Sequence, residues 1–555
     1  MKPCIILLML CAAFLNGRAQ TAGLPDSTLR KIDRLFEKWD NDHSPGFTVG
    51  IVRNDSLIFS KGYGMANLEY NMQNTPASIF HVASVSKQFT AYAIVLLARQ
   101  GRLQLDDDVR KYLPWFPDLK EKITIAQLLH HISGIRDQWQ LLATAGTRLD
   151  DVITQEQIIK ILSRQQALNF KPGERFNYCN SGYTMAAEIV KAVTGKTLRQ
   201  FTDSAIFKPL GMRDTHFHDD YTEVVYNRAY SYFRGDDGKF HNAVLSYSNA
   251  GATSLFTNIN DLAKWVMNFY APKAGTAEDI KRLAQKTRLN NGKEIDYALG
   301  ISHVVYRGRK GLAHNGADAG YRTTLTVFPD LKMGFIVLAN RADFNPGERA
   351  MELAALFIPA PEKGKPAPKP DSSLAMLKNA ALIRPFEGSY ISDEGTQMKF
   401  RLNDNKFYAD AFGRSELLQQ KKDTFYTLGT PAVSYVFNAS GSGDTTALVT
   451  FSPGETALLK KSVPVPKTSE VLNTYAGTYY SPELECSYRI VVKDGGLVMT
   501  SSKYNDMPLR FEGPDHLLSN WWWMSKLHVL RDGGKVTGFE VNDGRVLHLK
   551  FNKIQ

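Results

Sequence analysis

Cysteine is scarce in this 555-residue chain: there are four, and Cys4 and Cys11 fall within the first 19 residues. The other two, Cys179 and Cys486, lie far apart, so no disulfide framework is expected. Long apolar runs are also missing. Cys4 to Leu15 is the longest near the start, and neither it nor any later stretch reaches the roughly 20 residues of a membrane-spanning helix. Acidic residues are not in excess: 67 Lys and Arg face 56 Asp and Glu. The bases are dispersed and no aromatic-basic motif accompanies them, which argues against a nucleic-acid partner and leaves loose attraction to anionic envelope polymers. With 43% hydrophobic and 22% charged residues, the chain is an ordinary globular one, neither disordered nor collagen-like nor coiled-coil. Its length suggests roughly two to four domains.

Met1-Lys2, the apolar run and the small residues around Gly17-Arg18-Ala19 read as a secretory signal over residues 1–19. The protein is therefore expected to be exported, to periplasm or medium. Leu10 stands where a lipoprotein signal has a small residue, so lipid anchoring at Cys11 is not expected. Loss of Lys2 and Arg18 takes the formal charge from +11 to +9.

The sharpest change of composition is the Pro/Lys/Ala segment from Pro359 to Pro370, an extended spacer that cannot form a packed core. It sets a linker at 359–379 between a domain over 20–358 and two units at 380–465 and 466–555. Before it, Gly46–Val52 with Leu57–Tyr63, and Tyr321–Phe328 with Met333–Asn340, have the alternation of hairpins. Gln88–Gln100 and Ser181–Val193 have helical spacing, ended by Gly101 and Gly195. Thr124-Ile125-Ala126-Gln127 is a capping box. Strands at both ends with helices between predict one α/β-type sheet in which the terminal hairpins lie together. After the linker the pattern is β-rich, and Phe386-Glu387-Gly388-Ser389-Tyr390-Ile391-Ser392 recurs as Tyr475-Ala476-Gly477-Thr478-Tyr479-Tyr480-Ser481. This predicts two small antiparallel barrels or sandwiches of similar topology, the alternative being one continuous β domain.

Ser84-Val85-Ser86-Lys87 is the only Ser-x-x-Lys in the chain. At the start of a helix, positions i and i+3 share a face, which puts the ammonium beside the hydroxyl. A lysine kept neutral by burial can take the serine proton, and a helix N-terminus favours an oxyanion. By composition alone the tetrapeptide is weak, since it also fits an N-cap with a solvated lysine. Tyr178-Cys179-Asn180, opening the second helix, offers a phenol for proton relay and an amide for a substrate carbonyl. Tyr247-Ser248-Asn249 has the same form, and Tyr178 is preferred because its motif opens a helix. His314-Asn315-Gly316 precedes the strand from Tyr321. Its glycine admits close approach to a substrate, and the N–H of Ala317 is placed to pair with that of Ser84 as an oxyanion hole.

In that order, Ser84-x-x-Lys87, Tyr178-x-Asn180 and His314-x-Gly316 resemble the serine β-lactamase and penicillin-recognising family, in its class C-like branch of D-aminopeptidases, DD-peptidases and esterases. Phe80 to Ala83, Leu128 to Gly134, Pro209 to Met212 and Gly251 to Asp261 agree with it, so that the likeness runs over roughly 25–358. The resemblance implies a transpeptidase-type α/β (α+β) fold, an antiparallel sheet flanked by helices. It implies an acyl-enzyme mechanism with Ser84, Lys87 and Tyr178 catalytic, and Asn180, His314, Gly316 and Ala317 binding substrate. No metal or other cofactor is needed. The two terminal units resemble the barrels appended to a bacterial D-aminopeptidase of this family. Cys179 replaces the usual Ser or Ala, and His314 replaces the lysine of Lys-Thr-Gly; Arg322 is then a candidate anchor for a substrate carboxylate.

The expected activity is hydrolysis of amides or esters, with small or short D-amino-acid-containing peptides as substrates. A class C-like β-lactamase or DD-carboxypeptidase is the alternative, and a non-catalytic peptide- or envelope-binding protein the reading from another class. His216-Phe217-His218-Asp219-Asp220 has a zinc-like look, but its spacing does not complete a ligand set, so it is read as a polar loop. Trp521-Trp522-Trp523 is read as core and edge, with an interface or lid role as the alternative. The terminal units are expected to set specificity rather than chemistry.

Overall fold

The computed structural model describes residues 20–21, 23–360 and 383–555, apart from 405, 411–413, 422, 428–432, 440–444 and 452–454. The expected export signal lies outside the described residues, as does nearly all of the proline-rich linker.

Two hairpins make the frame. Strands β1 (Phe47–Arg53) and β2 (Ser56–Tyr63) turn at Asn54, which takes a left-handed conformation with φ 55°, as asparagine tolerates. Near the end of the α/β portion come β3 (Ser302–Tyr306), β4 (Arg309–Asp318), β5 (Tyr321–Phe328) and β6 (Met333–Ala339). Strand β6 pairs antiparallel with β1, Val337 opposite Val49, which joins the terminal hairpins as the alternation predicts. With Gln20–Thr21 on the outer edge of β2, these form a seven-stranded sheet.

Both sheet faces are covered. Helix α1 (Asp26–Phe36) and a C-terminal helix at Pro346–Phe357 bury Ile32, Phe36, Ala350 and Leu353 against Phe47, Val49, Phe335 and Val337. The opposite face carries the larger helical layer. Its centre is α2 (Ser86–Arg99), buried from Ser86 to Ala98; a helix enclosed on all sides lacks a polar stripe, and the polar residues of its first turns, Ser86, Lys87, Gln88 and Thr90, are buried with hydrogen-bond partners such as the Gly251 carbonyl, which accepts from Thr90 Oγ1 at 2.7 Å. Around it lie α3 (Gln138–Thr144), α4 (Ser181–Thr194) and α5 (Ile259–Asn268). The capping box at Thr124 forms with Gln127.

Residues 388–461 and 477–553 each form a closed barrel of eight antiparallel strands. The repeated segment opens both: Gly388 and Gly477 begin the first strands at φ 139° and 151°, and Tyr390 and Tyr479 point into the cores. Pairing each strand with its neighbours and the last with the first removes exposed edges.

The second barrel shares an apolar core with the helical layer, where Trp139 and Leu142 join the cluster containing Tyr488 and Trp521. At the centre of that contact the Arg136 guanidinium, fully buried, donates to both oxygens of Glu483 at 2.8 Å and to the carbonyls of Leu547 and His548 at 3.0 Å. The tryptophan triplet belongs to this interface: Trp521 is buried, Trp522 is exposed, and the Trp523 carbonyl accepts from Gln140 Nε2 at 3.0 Å. Cys179 and Cys486 are both free thiols. No helix among the described residues is long and apolar enough to cross a membrane.

Candidate active site

Ser84 lies in a 3-10 turn, Ala83–Val85, that leads directly into α2. Ala83 has φ 47°, a left-handed conformation uncommon for a residue with a side chain, and strain of this kind persists only where surrounding packing holds it. The holding element is β4. A Cβ on Gly316 would lie 2.3 Å from the carbonyl oxygen of Val82 and 2.3 Å from Thr323 Oγ1. The glycine thus serves first to let β4 approach the backbone before Ser84, rather than to admit a substrate.

One helical turn later, Lys87 Nζ is 3.0 Å from Ser84 Oγ, 2.9 Å from Asn180 Oδ1 and 2.7 Å from the Ala252 carbonyl. The lysine is fully buried. Burial lowers its pKa to about 7, against the opposing pull of Asp318 and Asp137, so a large fraction is neutral near neutral pH. In the ammonium form its three donors meet these three acceptors, and loss of one proton leaves a lone pair on a nitrogen already placed beside the serine.

Tyr178 completes the cluster. Its ring lies 5.0 Å from Lys87 Nζ, and burial raises the phenol pKa while the Ser84 hydroxyl and the Arg545 guanidinium oppose the rise. Asn180 lies with Tyr178 and Ser84 on the wall of a cavity of about 380 Å³. Its backbone N–H and Nδ2 both donate to Asp137 Oδ2, at 2.7 and 2.8 Å. An amide nitrogen carries two hydrogens, so one donor remains for a ligand. Tyr247 is placed elsewhere: it is buried and stacked on Trp139 with ring centroids 4.8 Å apart, and it does not line the cavity.

His314 sits within β4 rather than in a loop before β5. It is buried, with Nε2 2.9 Å from the Tyr297 hydroxyl and Nδ1 2.6 Å from the Asn315 carbonyl. Burial and Lys87 lower its pKa to about 3, so it is neutral. It lines an adjoining cavity of about 390 Å³ with Tyr178, Tyr297 and Arg545; Gly316, Ala317 and Arg322 line the cavity at Ser84. The Arg322 guanidinium donates to the Tyr321 and Ala319 carbonyls at 2.7 and 3.1 Å. Burial raises the Cys179 thiol pKa to about 12, which makes it an inert packing group.

Four contributors escaped the sequence reading. Asp137 caps α3 through Trp139 N–H at 3.0 Å while holding Asn180. His131 packs against Tyr178 with the rings tilted at 39° and centroids 4.2 Å apart, and it accepts from the Cys179 N–H at 3.0 Å; the sequence marks Leu128 to Gly134 only as a family-like segment. Tyr297 braces His314. Arg545, from the turn between strands Lys535–Asp543 and Val546–Lys553 of the second barrel, places its guanidinium 4.8 Å over the Tyr178 ring. Nothing local in the sequence marks it.

A Ser–Lys–Tyr cluster with a fully buried lysine, lying beside an antiparallel sheet, is the constellation of an acyl-transferring serine hydrolase. Residues 32–358 match the Beta-lactamase family, and the chain belongs to that family, as a serine hydrolase of the β-lactamase and penicillin-binding-protein kind. It is similar to Penicillin-binding protein 4* of Bacillus subtilis (strain 168), 26% identical over 416 residues, 72% of this chain and 91% of the relative. A D-aminopeptidase of Cereibacter sphaeroides (strain KD131 / KCTC 12085) is 25% identical over 84% of this chain and 86% of its own. In fold it resembles the octameric penicillin-binding protein homologue from Pyrococcus abyssi, with TM-score 0.52 and 24% identity over 79% of this chain and 98% of the other.

Proposed function

We propose that the protein is an exported hydrolase that cleaves amide or ester bonds of short D-amino-acid-containing substrates through an acyl-enzyme on Ser84. The observation that carries this reading is the buried Lys87 nitrogen, 3.0 Å from Ser84 Oγ and with a pKa near 7. Neutral Lys87 takes the Ser84 proton as Oγ attacks the carbonyl carbon, and the backbone N–H groups of Ser84 and Ala317 receive the oxyanion. Tyr178 gives its phenol proton to the leaving nitrogen or oxygen as the bond breaks, and the proton that Lys87 took from Ser84 refills it. Water then attacks the ester, and the same groups run in reverse. Asn180 holds Lys87 and offers its free amide hydrogen to the substrate; Gly316 and neutral His314 keep β4 in place. The D-amino-acid preference is supported by the D-aminopeptidase relatives, and export by the first 19 residues.

A second reading, β-lactamase or DD-carboxypeptidase, is favoured by Arg322 and Arg545 on the wall of the Ser84 cavity, two cations suited to a substrate carboxylate. Labelling with a fluorophosphonate and a fluorescent penicillin, followed by D-aminoacyl amides, short-chain esters and cephalosporins, tests both. Turnover of D-aminoacyl amides or esters supports the first, turnover of cephalosporins the second, and no labelling by either reagent defeats both.

A further inference from the structure

The His-x-His segment set aside as a polar loop has a different surrounding in the fold. Strand His216–Phe217 pairs with Leu255–Thr257, whose other edge pairs with Phe80–His81, the strand leading to Ser84. Alternation along an extended chain puts His216 and His218 on one side. Both rings lie on Phe256, with centroids at 6.0 and 4.7 Å. The turn after them brings back Glu223, a residue that no local zinc spacing would select. Its Oε2 lies 4.0 Å from His216 Nε2 and 3.6 Å from His218 Nδ1, and all three ligand atoms lie within 4.8 Å of one another.

Both of those imidazole nitrogens are buried without a hydrogen-bond partner, and the His218 side chain is only 4% exposed. Buried polar atoms in native proteins are nearly always paired, so two orphans aimed at one carboxylate oxygen call for a third body. Arg199 donates to both Glu223 oxygens at 2.6 and 2.7 Å and to Asp219 at 3.1 Å. It fixes the carboxylate and, with two acids against it, does not fully neutralise them.

We propose that His216 Nε2, His218 Nδ1 and Glu223 Oε2 bind a divalent transition-metal ion of the zinc type. Two imidazoles and a carboxylate are a borderline donor set that suits zinc over calcium or magnesium. Ligand bonds of about 2.0–2.2 Å in a tetrahedral site put ligand atoms roughly 3.3–3.6 Å apart, so the two contacts to Glu223 need to close by less than an ångström and the most separated pair by up to about 1.5 Å. Water fills the fourth position, on the side where His216 and Glu223 reach solvent. The ion ties the 218–223 turn to the sheet that carries Phe80–His81 and acts as a structural clamp, with no part in the chemistry at Ser84.

The test uses the full chain without an affinity tag, stripped with a chelator and dialysed. Uptake of one equivalent of zinc is expected, with a rise in melting temperature, visible d–d bands for cobalt in its place, and X-ray absorption showing two nitrogen ligands. His218→Ala and Glu223→Gln should weaken zinc binding by more than the roughly 10–100-fold that loss of an outer-sphere partner costs. Labelling of Ser84 by a fluorophosphonate checks that the variants fold, and its persistence in the stripped protein separates this site from the catalytic one. No stoichiometric uptake by the stripped wild type overturns the proposal. So does uptake unchanged in both variants, or an absorption spectrum without nitrogen ligands.

Discussion

The guanidinium of Arg545 stacks over the ring of Tyr178 at 4.8 Å and stands 3.9 Å from Asp137 Oδ2, so a turn of the second barrel forms part of the wall around Ser84. The turn is clamped. Its N–H donates to Gln140 Oε1 at 2.9 Å, and its carbonyl accepts from Asn169 Nδ2 at 2.9 Å. Arg545 borders both the cavity at Ser84 and the one at His314, as do Tyr178 and Asn315, and it is the residue of the shared wall that the second barrel supplies.

Arg545→Ala should merge these spaces and raise kcat/KM for longer peptides relative to dipeptide amides. The Arg545 charge also lowers the Lys87 pKa, so the acidic limb of the pH profile should move to higher pH. A profile and a substrate-length series on the one variant check both effects. An unchanged length preference would remove the gating role of the barrel.

Ser84→Ala should abolish fluorophosphonate labelling and turnover with little change in melting temperature, because only a half-buried hydroxyl is lost. Intact-mass spectrometry of the labelled protein reads the result directly.

Lys87→Ala should lower acylation by roughly 10²–10⁴-fold, the usual contribution of a general base. Tyr178→Phe should cost far more than Tyr247→Phe, since Tyr247 is a core residue under Trp139. Stopped-flow acylation with a chromogenic ester compares the three variants.

In wild type, kcat/KM should rise with pH through an apparent pKa near 7 as Lys87 becomes neutral. The same residue carries a linkage to stability. Its folded pKa is about 7 against an ordinary 10.5, so between these values the unfolded chain binds the extra proton and stability rises with pH. Lys87→Met should flatten that part of the stability curve in denaturant titrations across the window.

Glu483→Ala leaves the buried Arg136 guanidinium without its partner and should destabilise the protein by about 3–5 kcal/mol. The paired change Arg136→Met with Glu483→Leu should cost much less. Chemical denaturation of the three proteins gives the comparison. The same ion pair shows why a chain ending near Ile358 is a poor test of barrel function: deletion uncovers Arg136 and the apolar face around Trp139.

The features legible along the chain are local in origin. Ser84 and Lys87 meet because three residues make one helical turn, and Asn180 follows Tyr178 into α4. The two hairpins follow from alternation and turn residues, and the barrels from a repeated aromatic-Gly-Tyr segment. Other contacts arise only from chain closure, beyond the reach of any spacing rule. Asp137 on Asn180, His131 under Tyr178, Glu223 beside the histidine pair and Arg545 over Tyr178 are each brought in by chain closure and packing between separate elements. His314 shows the same boundary within one motif: the order of residues marked it, while its place in β4 came from pairing with β5, and its neutral state from burial. Periodicity acts over a few residues, whereas the field and shape around Ser84 are sums over side chains drawn from every part of the chain.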